Sequence, residues 1–376
     1  MARPNPNFEL VGKPHGRSQL ATPALVLDVT AFERNVLAMQ EHCRRVGLQL
    51  RPHAKTHKSA TIGKRQVEAG AIGLCCAKLG EAEALADGGL NGLLITSPIV
   101  SAQGFVRLAA LNVRMKDLMV VADSDVCVDG YANAARYGKP LKVLVDVDIG
   151  LHRTGIAPGE PALKLAQRAK AAGLDFVGLQ AYAGQLQHIA DFEERKAKSL
   201  AALKMLRETR DLLVAHGLPC PIVSGGGTGT YNIDAEAQVF TELQAGSYIF
   251  MDKQYNEVTI ANGAPMPFET ALFVQTTVIS ANTAGIATTD AGLKSFATEA
   301  GAPLIHAGAP DGATYFFFGD EQGGIFLGNK KMAPGAVVTC SAPHCDPTVN
   351  LYDFYHVVDG DTLVDLWPIE ARGRSA

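Results

Sequence analysis

Between residues 48 and 250 short runs of apolar and β-branched residues alternate with stretches whose apolar positions recur at helical spacing. Repeated β-α units around a parallel sheet produce this alternation. Eight runs can be counted, at 48–55, 71–77, 92–98, 118–123, 142–150, 176–184, 222–228 and 242–250. Eight predicts a closed, TIM-like β/α barrel, although a doubly wound open sheet would give much the same alternation. After Phe268 the texture changes to strands separated by turns, at 271–280, 285–290, 313–319, 324–328 and 336–342. A last hairpin is expected from runs 351–358 and 362–368 around an Asp359-Gly360 turn. The fold class expected is α/β, an N-terminal β/α barrel with a second, mainly β C-terminal domain. A helix-like stretch at 31–46 precedes the first barrel run, so the earlier strand Ala24–Asp28 is surplus to the barrel and is assigned to the β domain. Small residues at Asn262-Gly263-Ala264-Pro265 read as a linker. The expected division is a barrel over 30–261 and a β domain built from 1–29 and 262–376.

Composition narrows the partner. A chain of 376 residues, 47% hydrophobic and 19% charged, can bury a large core. A formal net charge of −4 without a long Lys/Arg run gives no electrostatic footprint for nucleic acid or an anionic membrane, so a small molecule is the expected partner. The opening Met1-Ala2-Arg3-Pro4-Asn5-Pro6-Asn7 lacks an apolar signal core, and no apolar run approaches a bilayer span, which reads as cytoplasmic. Seven cysteines are scattered without a C-x-x-C pair, and reduced, mostly buried thiols are expected.

Active groups of such barrels sit where strands end on the carboxyl face. The candidate chemistry obeys that rule. Arg51-Pro52-His53-Ala54-Lys55-Thr56-His57-Lys58 puts Lys55 at the end of the first run, between two histidines. A lysine must lose its charge to bind an aldehyde, and burial beside other cations favours the neutral form. A solvated basic helix start reads these eight residues equally well. Ser224-Gly225-Gly226-Gly227-Thr228-Gly229-Thr230 ends the seventh run, where glycines let backbone N–H groups approach an anion and hydroxyls add donors. Alone, such a turn is more often a tight connection. Paired with Lys55 it points to pyridoxal phosphate, whose aldehyde needs a lysine and whose phosphate needs a nest of donors. Arg153, after the fifth run, offers fixed charged donors to a cofactor ring or a substrate carboxylate, or forms a surface ion pair. Tyr182 ends the sixth run, beside a cofactor or in ordinary packing. His188 follows it as a neutral base candidate or a structural histidine.

Pro343-His344-Cys345-Asp346-Pro347 is the second cluster. In an extended chain, positions i and i+2 share a face, so His344 and Asp346 are expected to point together and Cys345 away. An imidazole with a carboxylate suits Mn²⁺ or Mg²⁺ as readily as Zn²⁺, in an open site completed by water or substrate. A buried polar turn before Pro347, or Cys345 as the ligand, reads the same residues. Asp353 and His356 are candidates for supporting groups.

With these motifs in place, the chain resembles the D-threonine aldolase family, pyridoxal-phosphate enzymes of the alanine-racemase fold type. The likeness runs from Thr22-Pro23-Ala24-Leu25-Val26-Leu27-Asp28 to Leu366-Trp367-Pro368-Ile369-Glu370-Ala371-Arg372-Gly373 and includes Gly246-Ser247-Tyr248. It implies a homodimer and a retro-aldol cleavage of a D-3-hydroxy-amino acid, D-threonine or similar, to glycine and an aldehyde. It implies that Lys55 holds the cofactor, that Gly226, Gly227, Thr228, Ser247 and Tyr248 cradle its phosphate, and that Arg153 and Tyr182 flank it. His344 and Asp346 would hold the divalent metal, with His188 near the substrate hydroxyl. The similar D-serine and 3-hydroxyaspartate dehydratases, which give keto acid and ammonia, carry a cysteine two residues after the metal-binding histidine. Here that position is Asp346, which favours the aldolase branch.

Overall fold

The computed structural model describes residues 5–376. β1 (Ala24–Asp28) ends in Asp28, whose carboxylate accepts a hydrogen bond from the Ala31 N–H at 2.9 Å and so caps α1 (Val29–Val46). Phe32, Val36, Met39 and Cys43 recur at helical spacing along α1 and are all buried. Gly47, at φ +72°, ends the helix in the left-handed conformation.

Eight parallel strands follow: β2 (Gln49–Leu50), β3 (Leu74–Cys76), β4 (Leu93–Ile95), β5 (Leu118–Ala122), β6 (Lys142–Asp146), β7 (Asp175–Ala181), β8 (Ile222–Gly225) and β9 (Glu242–Leu243). Between them run α2 (Ala60–Glu68), α3 (Leu79–Asp87), α4 (Ala102–Arg114), α5 (Asp125–Ala135), α6 (Glu160–Ala171), α7 (Phe192–Ala215) and a single helical turn, Tyr231–Asp234. The ladder order β2-β9-β8-β7-β6-β5-β4-β3 leaves β2 and β3 at its ends. A parallel bridge between His53 and Cys75 joins those ends, flanked by N–H donations of 2.9 Å from Ile72 to the Leu50 carbonyl and from Cys75 to that of Pro52. The sheet is therefore a barrel and not an open sheet. Cys75, Leu94, Met119, Val121 and Leu144 form one buried cluster, filling the barrel from alternate strand positions. Their neighbours Leu74, Cys76, Leu93, Ile95, Val120, Val143 and Val145 join the larger core under the helices. A strand buried on both faces reads as a continuous apolar run, which is why counting runs found them.

The strands are shorter than those runs. The run at 48–55 contracts to Gln49–Leu50: N–H donations from Arg51 to the Leu243 carbonyl at 2.9 Å and from His53 to that of Ala245 at 3.2 Å continue beside β9, and the chain then turns through a 3₁₀ segment, Ala54–Thr56. All seven cysteines are free thiols. Among the described residues no helix is long and apolar enough to cross a membrane.

The second sheet has nine strands. β10 (Leu272–Ser280), β11 (Ile286–Thr289), β12 (Leu304–Ala307), β13 (Thr314–Phe317), β14 (Gly323–Phe326), β15 (Val337–Ser341), β16 (Phe354–Asp359) and β17 (Thr362–Pro368) join β1, which lies antiparallel to β10 and parallel to β16. The final hairpin pairs Asp359 with Thr362, so its turn is Gly360-Asp361, one residue beyond the expected position. β12 was not expected: it is a half-exposed edge strand pairing only with β15, and its Leu-Ile-His-Ala sequence carries no apolar alternation.

The two sheets meet around the turn that carries Lys55. Tyr355 in β16 donates its hydroxyl to the His57 carbonyl at 2.7 Å and packs on Phe250 with ring centres 5.6 Å apart. Ala60 donates its N–H to Glu370 Oε2 at 2.9 Å, and Ala371 donates to the Lys58 carbonyl at 3.0 Å. Backbone after Lys55 is thus fixed from the β domain, while backbone before it is fixed by the barrel, where His53 donates its N–H to the Ala245 carbonyl at 3.2 Å.

Candidate active site

Lys55 sits in the middle of the 3₁₀ turn Ala54–Thr56, with its Nζ 2.8 Å from Oδ2 of Asp346. Asp346 belongs to a short helix, Cys345–Val349, capped by His344. The expected extended placement of His344 and Asp346 is therefore corrected. Pro347 stands in the first turn of a helix, where its missing N–H costs nothing. Asp346 Oδ1 accepts a hydrogen bond from Ser247 Oγ at 3.3 Å. Its buried Oδ2 has no well-directed hydrogen-bond donor, so its contact with Lys55 is an ion pair. Burial opposes ionisation of Asp346, but the Lys55 ammonium and His344 overcome it and hold the carboxyl well below the usual range. Asp346 in turn holds Lys55 above the usual lysine range, against the effect of burial. The expectation that neighbouring cations would neutralise Lys55 is thus corrected. The partner that favours its charged form is an anion contributed by the helix between β15 and β16.

Lys55 opens onto a cavity of about 630 Å³, also lined by Arg153, Tyr182, Gly226, Gly227, Thr228 and Ser247. That volume lies within the range of small-molecule sites. The glycine turn follows β8. At Gly226, φ is +74° and a Cβ would lie 2.4 Å from Asp234 Oδ2; at Gly229 a Cβ would lie 1.9 Å from the Gln187 carbonyl oxygen. Gln187 secures the turn by accepting the Gly229 N–H at 2.9 Å on Oε1 and donating from Nε2 to Thr230 Oγ1 at 3.1 Å. Thr230 donates onward to Asp234 Oδ2 at 2.8 Å. Tyr248 lies behind the turn and not in the cavity. Its ring is fully buried, its hydroxyl accepts from Gln66 Nε2 at 3.2 Å, and its N–H is given to Thr228 Oγ1 at 3.1 Å. Its effect on the turn passes through Thr228.

Arg153 lies over the ring of Tyr182, guanidinium carbon 5.5 Å from the ring centre. Asp148 holds this loop by accepting the N–H groups of Gly150 at 2.9 Å and His152 at 3.0 Å. Burial raises the Tyr182 phenol, countered by Lys55. His188 does not line the cavity. It packs against Tyr255 with ring centres 4.5 Å apart. Although the residue is exposed overall, partial desolvation of its imidazole, reinforced by His344, pushes its pKa down to about 4 and leaves a neutral base.

Several polar groups at the cavity were given no role by the sequence reading, and most of them lie outside its motifs. Asp146 at the end of β6 accepts from Gln180 Nε2 at 3.0 Å and from Thr154 Oγ1 at 2.9 Å, and burial pushes its pKa up to about 6. Gln244 donates to Gln180 Oε1 at 3.1 Å and to Ser224 Oγ at 2.8 Å. His53 approaches Thr96 Oγ1 at 3.1 Å and is kept neutral, first by burial and then by Lys55. The available signal was positional, since each lies at or just past a strand's carboxyl end, as Lys55 does.

The donor set for a cation is small. His344 and Asp346 supply an imidazole and a carboxylate, and among the described residues no cluster of three or more His, Cys, Asp or Glu side chains forms a ready-made metal cage. The buried Asp346 Oδ2 without a directed donor, beside an imidazole, fits a cation with other positions open. The glycine turn, packed so closely on Asp234 and Gln187 that a Cβ at Gly226, Gly227 or Gly229 would clash, lines the cavity with Lys55 and fits an anion there.

Residues 27–254 match the family described as alanine racemase, N-terminal domain, and residues 271–358 match a putative serine dehydratase domain. A D-threonine aldolase from Arthrobacter sp. is 40% identical over 370 residues, covering 95% of this chain and 94% of that one. A 3-hydroxy-D-aspartate aldolase from Paracoccus denitrificans (strain Pd 1222) is 37% identical over 377 residues, covering 95% and 93%. The crystal structure of D-threonine aldolase from Filomicrobium marinum superposes with a TM-score of 0.91 at 37% identity, covering 95% of this chain and 97% of that one. The barrel and its companion sheet are thus the alanine-racemase fold, and the chain belongs to the D-threonine aldolase family of lyases.

Proposed function

We propose that this chain uses pyridoxal 5'-phosphate and a divalent metal, Mn²⁺ or Mg²⁺ ahead of Zn²⁺, to cleave D-3-hydroxy-amino acids such as D-threonine to glycine and an aldehyde. The observation that carries this reading is the 2.8 Å approach of barrel Lys55 to Asp346 of the helix Cys345–Val349, beside a cavity that Lys55 lines together with Gly226, Gly227, Thr228 and Ser247. Bound there, pyridoxal phosphate supplies a covalent anchor and an electron sink, and the metal polarises the substrate hydroxyl. Lys55 provides the anchoring amine once its ammonium proton has left. Gln187 takes the Gly229 N–H and Asp234 that of Gly227, so the turn presents the N–H groups of Gly226 and Thr228 to the phosphate, with the Ser247 and Thr228 hydroxyls beside them. Arg153, steadied over Tyr182, offers fixed donors to the ring or to the substrate carboxylate. His344 and Asp346 hold the metal. His188, kept neutral by partial desolvation of its imidazole, or a water held by the cation would accept the hydroxyl proton whose departure releases the Cα–Cβ bond.

The same reading divides the chain into a cofactor-binding barrel, 30–261, and a metal-bearing β domain from 1–29 and 262–376, acting as a cytoplasmic homodimer. A net charge of −4 supports a small-molecule substrate over nucleic acid or a membrane surface. The test is to incubate purified, metal-supplemented protein with D-threonine and with D-serine and measure glycine, aldehyde, keto acid and ammonia together. Glycine plus acetaldehyde from D-threonine, lost on chelation, is the expected result. Keto acid and ammonia would replace the reading with a dehydratase.

A further inference from the structure

Glu299 stands outside every role given so far. Its Oε1 lies 2.6 Å from Nδ1 of His344. A carboxylate only accepts, so the hydrogen of this bond belongs to Nδ1. In the neutral ring that arrangement leaves the lone pair on Nε2. In the protonated ring the same bond keeps the Nδ1 hydrogen, so a cation displaces the hydrogen on Nε2.

We propose that Glu299 is a positioning residue: it fixes His344 with its hydrogen on Nδ1 and so presents Nε2 as the ligand atom to the divalent cation beside Asp346. The inference rests on the metal reading given above. His344 needs such a partner. Its backbone is held as the cap of Cys345–Val349, where Thr348 Oγ1 donates to the His344 carbonyl at 2.7 Å, but this leaves the ring free to turn about its own bond. Around the ring, Asp346, Asp252 and His188 act electrostatically, and Glu299 makes the short bond. A carboxylate behind a metal-binding histidine sets tautomer and ring plane and raises ligand basicity. Its removal typically costs 10–100-fold in metal affinity. With side-chain exposures of 55% for Glu299 and 26% for His344, solvent can partly replace the carboxylate, which places the expected loss near the lower end, about tenfold.

The experiment uses full-length protein loaded with pyridoxal phosphate, with MnCl₂ titrated in and free Mn²⁺ counted by electron paramagnetic resonance. Imidazole ¹⁵N spectra of the metal-free proteins report the tautomer, and His344→Ala identifies the resonance. Glu299→Ala should weaken Mn²⁺ binding about tenfold and move the His344 hydrogen toward Nε2, the form imidazoles prefer without a partner. Glu299→Gln, whose amide oxygen still accepts from Nδ1, should keep the tautomer and most of the affinity, which a loss through misfolding would not reproduce. An unchanged affinity or an unchanged tautomer in Glu299→Ala, with His344→Ala abolishing binding, would overturn the role of Glu299 alone. Wild-type Mn²⁺ binding in His344→Ala would remove the metal reading, and this inference with it.

Discussion

Replacing Asp234 with asparagine should flatten the dependence of stability on pH. The Asp234 side chain is buried directly beneath Gly226, accepting from Thr230 Oγ1 at 2.8 Å. Burial outweighs that bond and one from the Gly227 N–H, and lifts its pKa from 3.8 to about 7. The native state therefore holds a proton that the unfolded chain releases. Stability from this group is complete below pH 3.8, declines as pH rises toward about 7, and stays lost above it. A displacement from 3.8 to about 7 corresponds to about 4 kcal/mol. Asparagine keeps an oxygen for Thr230 and cannot ionise, so the variant should gain about that much on the wild type between pH 4 and pH 8.

The assay is urea unfolding of both cofactor-free proteins at matched concentration across that pH range. Other buried acids with raised pKa, such as Asp146 and Glu81, titrate in both proteins and cancel in the difference. Parallel curves for the two proteins would refute the reasoning, because they would mean that Asp234 ionises in the fold as freely as in the open chain. The result bears on function. A neutral Asp234 keeps a second negative charge from beneath the turn proposed to hold a phosphate.

Lys55→Ala should lose protein-bound cofactor absorbance and retro-aldol activity together, whereas His344→Ala should keep the absorbance and lose the activity; metal-free turnover by His344→Ala would sink the metal's part. Gly229→Ala drives a Cβ to 1.9 Å from the Gln187 carbonyl and must shift the turn, so pyridoxal-phosphate affinity measured by fluorescence titration should fall about tenfold, the equivalent of about 1.4 kcal/mol. Tyr355→Phe strands the buried His57 carbonyl and should cost about 1–3 kcal/mol in denaturant unfolding, with cofactor release at lower denaturant than in the wild type.

What could be read from the chain follows from what leaves a local trace. Val120 and Val143 sit in strands buried on both sides, so their runs stand out without knowledge of the partner strand. Lys55 and the turn at Gly226 could be placed because residues at strand ends interrupt apolar runs. β12 left no trace, because a half-exposed edge strand needs no apolar alternation. Gln187 and Asp234 left none either: they act by holding backbone N–H groups and hydroxyls of a turn, and any polar residue looks alike until its partner is known. Pro347 misled locally, since the same residue that forbids a helix interior is at home in its first turn.

The charge of Lys55 could not be read locally at all, and it is what joins the two parts of the molecule. The barrel supplies the lysine, the glycine turn, Arg153 and Tyr182, which together make a site able to hold a phosphate and an aldehyde. Asp346 and His344 come from the segment between β15 and β16, and Tyr355 from β16 itself. Tyr355 fixes the backbone just after Lys55, and Asp346 sets its charge from 2.8 Å away. A barrel of this kind without the second sheet would keep the lysine and lose His344 and Asp346, the pair proposed to hold the metal. The proposed cleavage chemistry therefore draws on both sides of the seam between the sheets. Substitutions along that seam, at Tyr355, Glu370 or Glu299, should disturb catalysis although none of them lines the cavity.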